Sequence, residues 1–228
     1  MDFREILNAL LYLARTGYGW RLLPKDFPPW KTVYWWFRYL LRRLPFQMIY
    51  NVALMLSREL AGREASLSTG VVDSQSGKAR AAQKRGYDAG KTINGRKWHI
   101  AVDTDGRPMM MMNRTTANIS DFAGAQKIFE AMRKRRQWMR HLFADSAYDR
   151  KKLLGKAAFL HFTIEVVRRT DTEPGFKVVP RRWVVERTFG WMTRWQRLVR
   201  NYEARIDVSG GMIQLAMASP LPQRVCHR

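Results

Sequence analysis

The spacing of apolar residues changes once along this chain, near Ser66, and that change constrains the fold more than any other feature. Before it, Ile6, Leu10 and Ala14 follow the three- and four-residue spacing of an amphipathic helix. After it, short apolar runs and alternating residues predict β-strands. The sequence therefore predicts a helical segment over residues 1–65, followed by a mixed α/β segment.

The helical segment contains three predicted helices separated by glycine and proline. The first stops at Gly17, the second runs over residues 32–44, and Pro45 precedes the third. The second helix carries basic side chains on its outer face. Three short helices with such a face are typical of a small DNA-binding module. A helical cap packed on the next domain is an equally good interpretation.

From Val71 onward, the predicted order is three strands, a helix, a strand, a helix, a strand and a helix. The second and third strands form a hairpin around Asp105-Gly106, and the polar residues 74–96 are interpreted as a long loop. This order is that of the ribonuclease-H-like fold, a mixed-sheet α/β architecture.

Three segments follow from these patterns. Residues 1–65 form a small helical domain, residues 66–205 a ribonuclease-H-like domain, and residues 206–228 an atypical tail. We expect no final helix in the tail, because Pro220 and Pro222 would break one.

The charge of the chain points to a polyanionic partner. Its 41 Lys and Arg residues outnumber 19 Asp and Glu residues and give a net charge of +22, a composition suited to phosphate contacts. No apolar run approaches the roughly 20 residues of a membrane span. The lone Cys226 cannot form an internal disulfide. We therefore expect a cytoplasmic protein with a polyanionic partner and no membrane span.

Three carboxylates stand out in this basic context. Asp73 ends the first strand, Asp145 ends the fourth, and Glu186 lies on the last helix of the mixed segment. If the two strands are neighbours, the acids meet, and clustered carboxylates suit Mg²⁺ or Mn²⁺ in phosphoryl transfer. Taken singly, each aspartate is better explained as a turn or cap residue, and Glu186 can pair with Arg182. Their joint occurrence favours the metal site.

Blocks in the same order resemble bacterial insertion-sequence transposases of the insertion-sequence-five group. The resemblance covers about residues 2–202. Its blocks are REILNALLY (4–12), WRLLP (20–24), DFPPW (26–30), VDSQS (72–76), GYDAGK (86–91), NGRKWHIAVD (94–103), ADSAYD (144–149) and PRRWVVERTF (180–189).

The resemblance implies a DDE transposase with Asp73, Asp145 and Glu186 as catalytic and metal-binding residues and Mg²⁺ as the cofactor. Such enzymes bind terminal inverted repeats, hydrolyse one DNA strand and join its 3′-hydroxyl to target DNA. The resemblance therefore implies double-stranded DNA as the partner, association with the nucleoid, and a homodimer or larger assembly on DNA. In the wider family motif, Val179 replaces a tyrosine and Thr193 a lysine. Neither terminus follows the family pattern, which makes activity less certain than ancestry.

Six basic residues are predicted to contact DNA phosphates, with a solvated basic face as the alternative for each. They are Arg96, Lys97, Arg181, Arg182, Arg187 and Arg194. Asp121, after Ser120, is expected to cap a helix rather than to support a metal site.

Two other functions remain open at this stage. One is a truncated, catalytically idle DNA-binding copy that represses transposition, and the other is a ribonuclease-H-like nuclease that cleaves DNA without joining it.

Overall fold

The computed structural model describes residues 2–43, 45–79, 85–168, 181–199 and 202–219. Val179, Pro220 and Pro222 lie outside these ranges. The helices are α1 (Phe3–Thr16), α2 (Trp30–Arg42), α3 (Pro45–Glu59), α4 (Asp121–Arg135), α5 (Lys151–Phe159), α6 (Trp183–Thr193), α7 (Gln196–Val199) and α8 (Ile206–Ala218). The strands are β1 (Thr69–Lys78), β2 (Gly86–Asp88), β3 (Ile93–Asp103), β4 (Pro108–Thr116), β5 (His141–Ala144) and β6 (Thr163–Val166).

The chain divides into two compact units. The first takes most of its described residues from the chain up to Ala65 and from Trp191 onward. The second comprises Ser66–Gly77 and Arg85–Gly190. The second unit begins at Ser66 and ends at Gly190, and the described residues from Trp191 onward belong to the first unit.

The first unit is a helical bundle, and its first helix begins and ends as its sequence indicates. Asp2 caps α1 by accepting a 2.9 Å hydrogen bond from the Arg4 amide. Gly17 ends the helix in a left-handed conformation with φ of 74°. Leu10 and Leu13 are fully buried on the face of α1 that packs on α2, α7 and α8.

The expected helix-free tail is wrong for the first part of residues 206–228. Helix α8 spans Ile206–Ala218 and buries Val208 and Met212 within the first unit. It packs closely on Leu41, because a Cβ added at Gly211 would lie 2.3 Å from the Leu41 Cδ2. The two prolines follow the end of this helix, so they do not interrupt it.

The second unit is built on a six-stranded mixed sheet in the order β2-β3-β1-β5-β6, with β4 also paired to β3. β1 pairs in parallel with β5, as β5 does with β6, and β3 pairs antiparallel with β2 and with β4. Without the short β2, this is the strand order of the ribonuclease-H-like fold. The predicted fold class is confirmed.

Two predicted segments differ from the structure. The predicted loop over residues 74–96 contains the second half of β1, all of β2 and the start of β3. The predicted helix over residues 182–200 is divided into α6 and α7. Among the described residues, no helix combines the length and apolar character needed to cross a membrane.

Candidate active site

Asp73 lies within β1, and Asp145 directly follows β5, which is the parallel neighbour of β1. The last register pair of these strands is Val71 with Phe143, two residues before Asp73 and Asp145 respectively. Val71 and Val72 are 1% exposed, so hydrophobic burial holds the part of β1 that presents Asp73. The sequence predicts that Asp73 ends this strand, but β1 continues to Lys78 because Ser74 and Ser76 are buried with polar partners. The charge of Asp145 acts on Asp73, so the two carboxylates lie near each other beside the end of β5.

The electrostatic environment of Asp73 disfavours its charged form. Burial raises the pKa of this carboxyl to about 6, and the charge of Asp145 also raises it. Opposing effects come from the Ser74 amide, which donates a 2.7 Å hydrogen bond, and from the charges of Arg182 and Lys91. Burial is therefore the main reason why the pKa of Asp73 is raised, and the neighbouring Asp145 adds to it.

Asp145 caps a short 3₁₀ turn, Ser146–Tyr148, by accepting a 2.9 Å hydrogen bond from the Ala147 amide. Its other oxygen, Oδ2, lies 3.7 Å from Nη2 of Arg182. The carboxylate is therefore oriented by the turn on one side and by a cation on the other.

Glu186 is more exposed and is separated from the aspartates by an arginine. Its Oε1 lies 3.5 Å from the same Nη2 of Arg182, and 44% of its side chain is exposed. Within the described ranges, no three His, Cys, Asp or Glu side chains come together as a ready metal site. The structure thus brings Asp73 and Asp145 together and leaves Glu186 beyond Arg182.

Helix α6, which carries Glu186, is anchored to the turn between β3 and β4. The buried hydroxyl of Thr188 donates a 2.6 Å hydrogen bond to the Gly106 carbonyl, and Arg187 donates at 2.8 Å to the Asp105 carbonyl. Gly106 has φ of 79°, and a Cβ there would lie 2.8 Å from the Thr188 hydroxyl. This contact requires glycine at the turn.

A buried polar network lies on the other side of Asp73. Lys97 Nζ lies 3.3 Å from Asp88 and 3.1 Å from Asp121, while Ser74 and Ser76 donate hydrogen bonds to Asp121 and Asp88 respectively. The Ser76 hydrogen bond is the main cause that lowers the pKa of Asp88. The network joins β1, β2, β3 and the start of α4.

This network corrects two predictions. Lys97 is 5% exposed and its neighbour Arg96 is 1% exposed, so neither side chain lies on the surface to meet DNA phosphates. Sequence alone suggested exposure because both are cations, but Lys97 is buried with two carboxylates. Asp121 does not cap α4, since Ser120 holds that position and accepts a hydrogen bond from Ala123.

Tyr148 is a site residue that the sequence analysis missed. It is 1% exposed, and burial raises the pKa of its phenol well above the usual value. The charges of Asp73, Asp121 and Asp145 act in the same direction, which places the ring among these acids. The sequence does indicate this position, because Tyr148 lies only three residues after Asp145, at the end of the short turn that Asp145 caps.

Three other arginines predicted to contact DNA differ in their exposure and in the contacts that their guanidinium groups make within the protein. Arg181 is exposed, with its guanidinium 5.2 Å from the Phe143 ring centroid. Arg187 is engaged by the Asp105 carbonyl and by the Trp183 ring, 4.3 Å away. Arg194 is exposed. Arg181 and Arg194 therefore remain the best candidates for phosphate contacts.

The donor set at the sheet edge suits a divalent cation. Carboxylate oxygens are the ligands that Mg²⁺ and Mn²⁺ prefer, and such an ion would offset the mutual repulsion of Asp73 and Asp145. These two aspartates fit the role of ligands as they stand.

Comparisons with known protein families agree with this fold. Residues 64–221 match the family model described as the transposase DDE domain, and residues 1–49 match that of a putative transposase of the IS4/5 family. The class of protein is thus a transposase built around a DDE catalytic domain. This chain belongs to the DDE transposase family.

One curated relative is the putative transposase for insertion sequence element IS402 of Burkholderia cepacia. It is 32% identical over an alignment of 129 residues, and the match covers 53% of this chain and 60% of the relative. The chain thus matches about three fifths of that relative's length. A solved structure, the catalytic core domain of BIV integrase, is similar with 13% identity and a TM-score of 0.39, over 66% of this chain and 81% of that one.

Proposed function

We propose that this protein is an insertion-sequence transposase that cleaves DNA at the terminal inverted repeats of its element and joins the freed end to target DNA. The observation that carries the proposal is the proximity of Asp73, in β1, to Asp145, at the end of the neighbouring parallel strand β5, in a chain of net charge +22. Paired acids at the edge of such a sheet suit phosphodiester chemistry, and the basic surface suits the substrate.

Each reaction step is an in-line displacement at phosphorus. In cleavage, water attacks a phosphodiester, the bond to the 3′ oxygen breaks, and a 3′-hydroxyl and a 5′-phosphate result. In joining, that 3′-hydroxyl attacks a target phosphodiester, and one P–O bond forms as another breaks. Asp73 and Asp145 would hold Mg²⁺ or Mn²⁺, which supplies charge neutralisation at the phosphate and at the attacking oxygen. Glu186 would join them as the third acid.

The protein's own residues orient the reacting groups. The Ala147 amide and the 3₁₀ turn hold Asp145, while the Ser74 amide holds Asp73. Arg181 would contact a phosphate flanking the cleaved bond, and Arg194 would contact a DNA phosphate elsewhere along the duplex. We further propose that the protein acts as a homodimer or larger assembly on nucleoid DNA, since the two ends of one element have to be joined to the same target DNA.

The test combines purified protein, a duplex bearing the element's terminal repeat, Mg²⁺ and a target plasmid. Joined product is expected from the wild type and not from Asp145→Asn. Asp149→Asn, four residues away and ion-paired with Arg168, is the matched control and should retain joining. Cleavage without joining would identify a nuclease, and binding alone would identify the DNA-binding repressor. Joining by Asp145→Asn would refute the assignment of this site.

A further inference from the structure

One arginine faces all three proposed catalytic acids. A single nitrogen of Arg182, Nη2, lies 3.7 Å from Oδ2 of Asp145 and 3.5 Å from Oε1 of Glu186. The same guanidinium is the largest cationic influence on Asp73. No other described residue is ion-paired with both Asp145 and Glu186.

The guanidinium is held there by charge more than by hydrogen bonds. Both distances exceed the 2.7–3.2 Å range of N–H···O hydrogen bonds. The Nε atom is buried and has no hydrogen-bond partner among the described residues. Its side chain is 23% exposed, so a path to solvent exists. If Arg182 moves away from the acids, the main loss is therefore electrostatic attraction, since few hydrogen bonds have to break.

Charge balance explains why a cation lies at this point. Carboxylates brought together repel one another unless a positive charge lies between them, and partial burial weakens screening by salt. A guanidinium keeps its charge at all relevant pH values. It can therefore neutralise the acids whenever no metal ion does so.

We propose that Arg182 is a built-in counter-ion, which occupies the cation position between Asp145 and Glu186 in the metal-free protein and leaves it when a divalent ion binds. The inference rests on the proposed function, which makes these acids metal ligands. It also accounts for Glu186 lying apart from the aspartates, because the arginine stands between them. Arg182 and the ion thus compete for the same acids.

If Arg182 competes with the metal ion, its removal has the opposite effect on metal affinity from the one expected if it supports the site. Removing a competitor tightens metal binding, whereas removing a residue that holds the acids in place weakens it. Mn²⁺ is the probe, and isothermal titration calorimetry, together with the electron paramagnetic resonance signal of free Mn²⁺, gives its affinity without any DNA. Arg182→Gln should bind Mn²⁺ about tenfold more tightly than the wild type, a change of about 1.4 kcal/mol.

Three further variants sharpen the measurement. Arg181→Gln removes the same charge one residue away, where the side chain lies over Phe143, and should change the affinity less than twofold. Arg182→Lys keeps the charge but lacks the planar fork that spans two carboxylates, so it should tighten binding about threefold. Asp145→Asn should abolish binding at this site.

A second readout covers the metal-free state. Arg182→Gln should lower the midpoint of thermal unfolding without metal, because the acids lose their counter-ion, and should gain more from Mn²⁺ than the wild type does. If Arg182→Gln or Arg182→Lys binds Mn²⁺ no more tightly than the wild type, the inference is wrong and the metal site stands. If Asp145→Asn binds Mn²⁺ as tightly as the wild type, the acids do not form the metal site. The same conclusion follows if neither the wild type nor any variant binds Mn²⁺, and in both cases the inference about Arg182 is wrong as well.

Discussion

The hydroxyl of Ser74 donates a 2.5 Å hydrogen bond to the carboxylate of Asp121, which ties the strand that carries Asp73 to the first turn of α4. Lys97 completes this connection by pairing with Asp121 and with Asp88. Although burial raises the pKa of Asp121, the contacts from Ser74 and Lys97 outweigh it, and the pKa is lowered. Both acids are thus charged in the fold and depend on one lysine.

Lys97→Met should therefore destabilise the protein strongly. The substitution leaves two carboxylates in a largely buried network without their cation, and breaking a buried pair in this way costs about 3–5 kcal/mol. Urea unfolding followed by tryptophan fluorescence measures the loss. Lys127→Met removes an exposed lysine of α4 and is the control, with an expected change within about 0.5 kcal/mol. Equal stability of the two variants would show that the network contributes little.

This network also explains where sequence patterns succeed and where they fail. Alternation of Trp98, Ile100 and Val102 predicts β3 because each buries an apolar side chain against the core. The same alternation rule does not predict the second half of β1, from Ser74 to Lys78. Its inward residues Ser74 and Ser76 are polar, and their burial depends on partners far away in the sequence.

In the candidate site, too, some residues could be predicted from local sequence patterns and others could not. Asp73 and Asp145 could be predicted because each follows an apolar run, and the parallel register then brings them together. The position of Arg182 between Asp145 and Glu186 could not, since an i,i+4 pair predicts only the contact with Glu186. Contacts across the sheet edge depend on tertiary packing, which spacing along one helix does not encode.

Asp73→Asn should stabilise the metal-free protein above about pH 6. The folded state holds the pKa of Asp73 at about 6, above the unfolded value of 3.8. The unfolded chain therefore releases this proton first, and the free energy of unfolding falls as the pH rises from 3.8 through 6. Asparagine removes this loss, which is at most about 3 kcal/mol at pH 8.

Chemical unfolding of wild type and variant in EDTA, from pH 4 to 8, measures this difference. The two curves should meet near pH 4 and separate as the pH rises. Asp26→Asn changes an exposed aspartate and should follow the wild type throughout. Curves that stay parallel for Asp73→Asn would contradict a raised pKa.

Thr188→Val tests the anchor of α6. Valine has the same shape but leaves the Gly106 carbonyl without its 2.6 Å hydrogen bond, at a cost of about 1–3 kcal/mol. Because this contact fixes the helix that carries Glu186, strand joining should slow more than the stability loss alone explains. Denaturant unfolding and a joining assay well below the melting temperature give the two values. Thr163→Val, at an exposed position of β6, should alter neither.

The salt dependence of DNA binding distinguishes exposed arginines from engaged ones. A side chain that neutralises one phosphate contributes about 0.9 to the slope of log affinity against log salt concentration. Arg181→Gln and Arg194→Gln should each lower the magnitude of the slope by about this amount, because both side chains are exposed. Arg187→Gln should change it less, because its guanidinium is bound to the Asp105 carbonyl. Titrations of a labelled terminal-repeat duplex at several salt concentrations measure the slopes, and an unchanged slope in Arg181→Gln would remove that residue from the DNA-binding surface.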